Sequence, residues 1–254
     1  MLVDSHCHLD MLDLEQHSIS QIVDEAAQES IAYMLCVSVS LERFPAMMQL
    51  IEPFPHISAS VGVHPDGEDV EEPDVERLIE LAGSSRIVAI GETGLDYFRT
   101  EGDVEWQRQR FRTHIRAARA ANKPLIVHTR EAKEDTLRIL KEEGAHEVGG
   151  VLHCFTEDWP MAQAAMDMNF YISFSGIVTF KNATQIQDVA RQMPLDRMLV
   201  ETDSPYLAPV PKRGKPNRPA YVKHVAEYVA KLRGDEIESF AAKTTENYFR
   251  LFSI

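Results

Sequence analysis

The stretch Leu2-Val3-Asp4-Ser5-His6-Cys7-His8 opens the chain and decides between two kinds of parallel sheet. Its apolar residues begin a strand, and that strand leads into two imidazoles. A doubly wound open sheet usually carries a glycine-rich phosphate loop after its first strand, and no such loop follows here. The start of the chain therefore favours a closed barrel over the open sheet, provided that later residues supply enough strands.

Eight short apolar runs follow one another along the 254 residues. Polar stretches with helical periodicity separate them, and this alternation is typical of a parallel sheet covered by helices. Eight such units in roughly 200 residues fit a (β/α)₈ barrel. The runs are Leu2–Val3, Ile31–Val39, Ile57–Val63, Ile87–Ile90, Leu125–Val127, Gly150–Leu152, Phe170–Phe174 and Met198–Val200.

We therefore predict an α/β fold, a single TIM-type (β/α)₈ barrel domain over residues 1–254 with extra C-terminal helices. Two helical stretches after the eighth run, Arg218–Leu232 and Asp235–Phe252, would close the surface. The predicted helices between runs include Gln16–Glu29, Val104–Ala121, Glu131–Glu143, Met161–Asp167 and Ala183–Arg191.

The composition argues against several classes of protein. No run approaches the roughly 18 apolar residues of a membrane span, and the first residues lack a secretory signal, so we expect a cytoplasmic protein without membrane contacts. Cys7, Cys36 and Cys154 lack zinc-finger spacing and predict free thiols. The formal net charge of -14 argues against broad binding to nucleic acid, because Lys and Arg make most phosphate contacts. A polyanionic substrate would therefore have to bind to a local cluster of Lys and Arg side chains.

Imidazoles and carboxylates follow six of the eight runs. The active site of a (β/α)₈ barrel lies at the carboxyl ends of its strands, so these side chains are expected to face one mouth. Period-two alternation also places the two imidazoles of the opening stretch on one side of the strand. The candidates are His6, His8, His64, Glu92, His128, His153 and Asp203. The other histidines fall in helices or turns and are expected to be solvated: His17, His56, His114, His146 and His224.

Nitrogen and oxygen ligands of this kind suit divalent metal ions, and their number suggests two. A first ion can be assigned His6, His8 and Asp203, and a second His128 and His153. Glu92 has two oxygens and can bridge the ions, which leaves each ion an open position for water. We predict two divalent ions (Mg, Mn or Zn), a metal-bridged water as nucleophile and Asp203 as general base. This count does not need His64, to which we assign a substrate or proton-transfer role.

The motifs together resemble one family, the TatD family of metal-dependent deoxyribonucleases. The resemblance covers residues 3–252, and the motifs are specific in combination, although His-x-His alone would be weak. They are Asp4-Ser5-His6-Cys7-His8, Val61-Gly62-Val63-His64-Pro65, Gly91-Glu92-Thr93-Gly94-Leu95-Asp96-Tyr97, Pro124-Leu125-Ile126-Val127-His128-Thr129-Arg130, Leu152-His153-Cys154-Phe155, Val200-Glu201-Thr202-Asp203-Ser204-Pro205 and Thr244-Thr245-Glu246-Asn247-Tyr248-Phe249-Arg250-Leu251-Phe252.

The resemblance implies a barrel of the amidohydrolase superfamily in which His6, His8, Glu92, His128, His153 and Asp203 bind metal. It also implies hydrolysis of DNA phosphodiester bonds with a divalent ion, often as a 3′ to 5′ exonuclease that favours single strands. Phosphotriesterase-like and dihydroorotase-like branches usually bridge their metals with a carbamylated lysine after strand four, where this chain has Glu92. Deaminases of the superfamily typically use one metal and a separate glutamate. Both fit the chain less well.

Local positive charge supports a phosphate substrate. The loop after Asp203 contains Lys212, Arg213 and Lys215 between prolines, and the strand before it ends at the active-site mouth. Arg130 can offer a guanidinium fork to a phosphate oxygen. Tyr97 and Tyr206 follow strands four and eight and can stack on bases.

We accordingly predict single-stranded or frayed DNA ends as the substrate and expect the chain to act as a monomer. One alternative is an amidohydrolase that acts on a small ester, lactone or amide, whose turnover would be indifferent to neutralising the loop cations. The other is a metal-binding scaffold without catalysis, which metal-dependent turnover of any substrate would exclude.

Overall fold

The computed structural model describes residues 1–67, 70–100 and 102–254. Eight parallel strands form one sheet in which each strand pairs with the next along the chain. Each of the eight predicted runs overlaps a strand. Three strands continue into the polar residues that follow, whereas the runs Ile31–Val39 and Ile57–Val63 extend past the ends of their strands at Cys36 and Val61. The strands are β1 (Leu2–Cys7), β2 (Ile31–Cys36), β3 (Ile57–Val61), β4 (Ile87–Asp96), β5 (Leu125–Arg130), β6 (Gly150–Leu152), β7 (Phe170–Phe174) and β8 (Met198–Val200).

The sheet curls until its two edges meet. Cys7 at the end of β1 forms a parallel bridge with Ser204 after β8. The backbone N–H of His8 also donates to the carbonyl oxygen of Ser204 at 2.8 Å. The prediction of a TIM-type (β/α)₈ barrel is confirmed, and it brings the carboxyl ends of the strands to one mouth.

Helices connect the strands and cover the outside of the barrel. The extra C-terminal helices, α8 and α9, are confirmed, whereas α2 and α3 were not among the predicted stretches. The α-helices of the described residues are α1 (Ile19–Gln28), α2 (Phe44–Ile51), α3 (Val75–Ala82), α4 (Glu105–Ala121), α5 (Lys133–Glu142), α6 (Trp159–Asp167), α7 (Thr184–Gln192), α8 (Val222–Arg233) and α9 (Ile237–Phe252). None of them is long and apolar enough to cross a bilayer.

Every residue of β3 and β7 is buried, which explains why these runs are mainly apolar. One large core cluster joins the strands to the surrounding helices. A second cluster joins side chains of seven strands to Tyr248 and Phe252 of α9. The last helix is thus packed against the sheet. The three cysteines are free thiols, as expected.

His114 on α4 is fully buried, so the expectation that it is solvated is wrong. Its Nε2 accepts a hydrogen bond from the backbone N–H of Val63 at 3.0 Å. Its Nδ1 lies 2.8 Å from the carbonyl oxygen of Arg110 and donates to it. Burial lowers the pKa of His114 to about 4, which keeps the imidazole neutral at pH 7. The side chain ties α4 to the residue that precedes His64.

Candidate metal centre

The polar ends of β4 and β5 approach each other very closely. Gly94 has a φ of 138°, and a Cβ atom there would collide with the carbonyl oxygen of His128. Only glycine tolerates both the dihedral angle and the contact. The glycines of the Gly-Glu-Thr-Gly motif therefore allow Glu92 and His128 to lie side by side at the mouth.

Glu92 lies at the centre of the predicted ligands and is 2% exposed. Its Oε2 faces the imidazoles of β1, at 3.3 Å from His6 Nε2 and 3.6 Å from His8 Nε2. Its Oε1 faces a different group, at 2.8 Å from His153 Nε2 and 3.3 Å from His128 Nδ1. Each carboxylate oxygen thus belongs to a separate set of nitrogen donors.

Asp203 completes the first of these sets. Its Oδ1 lies 3.7 Å from His6 Nε2 and 3.4 Å from His8 Nε2, and the three side chains form a group able to hold a metal ion. The backbone of Asp203 has a φ of 57°, and its N–H donates to the carbonyl oxygen of His6 at 2.9 Å. This left-handed turn directs the carboxylate towards the imidazoles of β1.

A second layer of acceptors orients the imidazoles. Glu201 Oε1 lies 3.2 Å from His153 Nδ1, and Asp96 Oδ2 lies 3.1 Å from His128 Nε2. The carbonyl oxygen of Val37 accepts from His8 Nδ1 at 2.9 Å. Each contact leaves the other ring nitrogen facing the centre, the arrangement that metal-binding histidines commonly show.

Sequence reasoning did not assign a role to Glu201 or Asp96. Both lie inside quoted motifs, at or just past a strand end, and both are fully buried. A carboxylate that directly follows or ends a buried strand is itself a signal, because an ionised group is rarely buried without a partner. Glu201 also forms a candidate ligand group with His6 and His153.

His64 lies in the segment that follows β3, and it contacts both the centre and a supporting carboxylate. Its Nε2 lies 3.2 Å from Glu92 Oε1, and its Nδ1 lies 2.5 Å from Asp66 Oδ1. Asp66 in turn accepts a hydrogen bond from Arg99 Nη1 at 2.7 Å. His64, Glu92 and His128 form a third candidate ligand group, so the position of His64 suits a ligand as well as the substrate or proton-transfer role that the sequence predicts.

The carboxylates and imidazoles of the centre shift one another's pKa values. Burial raises the pKa of Glu92, but His153, His64 and His128 together bring it well below its usual value. Burial likewise raises the pKa of Asp203, and the hydrogen bond with His8 and the neighbouring imidazole charges lower it overall. Both groups are therefore carboxylates at neutral pH, the form that binds a cation or accepts a proton.

The donor set fits divalent metal ions. Nitrogen and carboxylate oxygen atoms converge at distances of 2.8–3.7 Å on one another. His153 Nε2 lies 2.8 Å from Glu92 Oε1, yet it has no partner with hydrogen-bond geometry among the described residues. A buried polar atom without a partner calls for an explanation, and a bound cation supplies one.

A cleft of about 520 Å³ opens above the centre. His8, Glu92, His128, His153 and Asp203 form its floor together with His64. Two arginines, Arg99 and Arg130, and the aromatic ring of Tyr206 line its walls. The cleft thus combines a cluster of possible metal ligands with two cationic side chains, and Tyr206 is 53% exposed beside them.

The other predicted substrate contacts are not among the residues that line this cleft. Lys212 Nζ lies 5.1 Å from the ring centroid of Tyr221, and the guanidinium of Arg213 lies 4.3 Å from that of Phe180. Lys215 is exposed. The hydroxyl of Tyr97 donates to Asp135 at 2.6 Å. These four side chains therefore meet a substrate only if it extends beyond the cleft.

Comparisons with known proteins agree on one family. The family model described as TatD related DNase matches residues 3–253. An uncharacterized metal-dependent hydrolase of Escherichia coli K12, YcfH, is 51% identical and covers 100% of this chain and 96% of its own length. The crystal structure of the E. coli TatD homologue YjjV superposes with a TM-score of 0.91 at 26% identity, covering 100% of this chain and 98% of that chain. A 3′-5′ ssDNA/RNA exonuclease, TatD of Escherichia fergusonii, is 32% identical and covers 92% of each chain.

Proposed function

The chain belongs to the TatD-related DNase family and is a metal-dependent hydrolase, and we propose that it cleaves phosphodiester bonds at DNA ends. The position of Glu92 carries this proposal, because its two oxygens face two separate sets of imidazoles. That arrangement suits a pair of ions, the centre that many phosphodiesterases use. The relative named as a 3′-5′ ssDNA/RNA exonuclease supports single-stranded DNA as the substrate and removal of nucleotides from the 3′ end.

Two divalent ions would be held by the predicted ligands. His6, His8 and Asp203 would bind one ion, His128 and His153 the other, and Glu92 would bridge them, with Mg, Mn and Zn all compatible with these donors. When bound, such ions acidify water and stabilise negative charge on phosphate oxygens.

The side chains of the centre divide the remaining tasks. Asp203 is a carboxylate at neutral pH and is 13% exposed to the cleft, so it can accept a proton from the attacking water and return it to the leaving group. Glu92 fixes the spacing of the two imidazole sets. His64, held by Asp66, can donate a hydrogen bond to the substrate phosphate or move a proton at its Nε2.

Substrate contacts follow from the cleft walls. Arg130 and Tyr206 both line the cleft, where Arg130 can pair with a phosphate oxygen and Tyr206 can stack on a base. Tyr97, Lys212, Arg213 and Lys215 remain proposed contacts for a longer strand that leaves the cleft.

A cleavage assay tests the proposal. Purified protein is incubated with 5′-labelled single-stranded DNA and Mg²⁺ or Mn²⁺, and we expect a ladder of products that shorten from the 3′ end. Asp203→Asn is expected to remove this activity. If wild type and Asp203→Asn leave the DNA equally intact, while wild type turns over a small ester or lactone, the nuclease proposal is wrong and the small-substrate alternative is supported.

A further inference from the structure

The turn that follows β4 is tied to the metal centre by one carboxylate. Asp96 Oδ1 accepts the backbone N–H groups of Phe98 and Arg99 at 3.1 and 3.0 Å. Its Oδ2 lies 3.1 Å from His128 Nε2. The same side chain therefore orients a predicted ligand and fixes the backbone of the turn. The turn is therefore fixed in position relative to His128 and the candidate metal ligands around it.

Phe98 is exposed at this turn although it is large and apolar. The residue is 56% exposed, and the guanidinium of Arg130 lies 3.8 Å from its ring centroid. Arg130 lines the cleft, so the ring stands beside the cleft wall. Guanidinium stacking holds the ring without burying it and leaves it available to a flat partner.

Arg99 presents a positive charge from the same turn. Its side chain is 56% exposed, and its Nη1 donates to Asp66 Oδ2 at 2.7 Å. It lines the cleft together with His64 and Glu92. The ion pair orients the guanidinium, which has further donors that can meet a phosphate.

We propose that Phe98 and Arg99 form a subsite for the nucleotide adjacent to the scissile phosphate. The ring of Phe98 stacks on its base, and the guanidinium of Arg99 pairs with its phosphate. An aromatic ring that stacks on bases and a cation that contacts the backbone are the two elements that single-strand binding sites combine. The subsite deepens the proposed function and depends on it for the identity of the strand.

Binding can be measured separately from cleavage. A fluorescein-labelled single-stranded 12-mer is titrated with Asp203→Asn protein, and with the same protein that also carries Phe98→Ala or Arg99→Gln. We expect each change to raise Kd at least about 5-fold, since stacking and phosphate pairing are lost. Phe98→Trp is expected to restore binding. Arg116→Gln is the matched control, because Arg116 is also about half exposed and ion-paired, to Glu143, but does not line the cleft.

A second experiment tests whether Phe98 contacts the nucleobase of the substrate. In an otherwise wild-type protein, Phe98→Ala is expected to reduce kcat/KM on the 12-mer at least about 5-fold more than on bis(p-nitrophenyl) phosphate, which has no nucleobase. A 12-mer with an abasic residue next to its 3′ nucleotide is expected to remove the difference between Phe98→Ala and wild type. Equal losses on all three substrates would overturn the stacking role.

The two proposals fail in different ways. If wild type shortens DNA but Phe98→Ala and Arg99→Gln bind and cleave like Arg116→Gln, the subsite is wrong and the nuclease stands. If the two changes weaken DNA binding but wild type cleaves no DNA, the subsite is supported and the proposed function is wrong.

Discussion

At the scale of single residues, Glu201 is expected to matter without touching the substrate. Its Oε1 accepts hydrogen bonds from His153 Nδ1 at 3.2 Å and from the backbone N–H of Cys154 at 2.8 Å. Glu201→Gln keeps the shape but removes the charge that makes His153 a stronger donor to metal. We expect metal affinity to fall about 10-fold or more, measured by calorimetric titration of the metal-free protein with Zn²⁺ or Mn²⁺.

A matched change on the surface controls for the lost charge. Glu238 on α9 is exposed and lies on the last helix, so Glu238→Gln should leave the metal affinity unchanged. Equal affinities for Glu201→Gln and Glu238→Gln would show that Glu201 does not support the centre.

Individual residues were only partly accessible to sequence reasoning. Position after an apolar run suffices to find His153 and Asp203, because every strand end of a parallel barrel faces the same mouth. It does not show which acceptor meets the second nitrogen of each imidazole, since that depends on side-chain directions across strands. Glu201 and Asp96 were missed for this reason. Phe98 was missed because its stacking against Arg130 depends on the path of the turn after β4.

At the scale of elements, β4 and β5 are expected to depend on Gly94. Alanine there would have to adopt a φ of 138° and would collide with the carbonyl oxygen of His128. We expect Gly94→Ala to lower the free energy of unfolding by at least about 3 kcal/mol, measured by urea denaturation.

Gly214→Ala is the control that measures the cost of the positive φ without the steric collision. Gly214 has a φ of 83°, and a Cβ there has no heavy atom within 4 Å. Its substitution should cost only about 1 kcal/mol. If both variants are destabilised equally, the close approach of β4 and β5 is not what requires glycine.

The hydrogen bond between His114 on α4 and Val63, in the segment after β3, predicts a pH dependence of stability. The pKa of His114 is about 4 in the folded state and 6.5 as the reference value for the unfolded chain. As pH falls below 6.5, the unfolded chain gains a proton that the folded chain does not, so stability falls until pH reaches about 4. Between pH 7 and pH 5 this single group should cost about 2 kcal/mol.

His114→Gln removes the titrating group and keeps an acceptor for the N–H of Val63. Urea denaturation of the metal-free proteins at pH 7 and pH 5 should show a smaller loss for the variant than for wild type, by about 2 kcal/mol. An equal loss in both proteins would mean that His114 titrates normally in the folded state.

The elements themselves were largely predictable. All eight strands fall on apolar runs, because strands buried on both faces need apolar side chains at successive positions. The carboxyl ends were harder, since β1 continues to Cys7 and β4 to Asp96 through polar residues that pair within the sheet. The helices α2 and α3 were not predicted, because each is too short to show a clear helical periodicity in the sequence.

At the scale of the whole molecule, the net negative charge is expected to limit the number of phosphate groups that the protein contacts. The chain has a formal net charge of -14, and the cleft-lining cations among the described residues are Arg99 and Arg130. Two phosphate contacts with a single strand predict a slope of roughly −1.4 in a plot of log K against log salt concentration. Fluorescence anisotropy at a fixed metal concentration measures this slope.

The same measurement tests the basic loop. If Lys212, Arg213 and Lys215 also bind phosphates, as the sequence suggested, the slope becomes roughly −3.5. Neutralising the three residues together would then restore the shallow slope.

The expectations of a cytoplasmic monomer and of a single domain over residues 1–254 stay predictions.

We propose that the ligands around Glu92 hold two divalent ions and that the protein needs both to hydrolyse DNA. The most direct test is the rate of cleavage of single-stranded DNA as metal-free protein is titrated with Mn²⁺ under conditions of tight binding. We expect the rate to rise until two ions are present per chain and to stay near zero for Asp203→Asn at every ratio. A rate that is already maximal at one ion per chain, or DNA that remains intact at all ratios, would contradict the account.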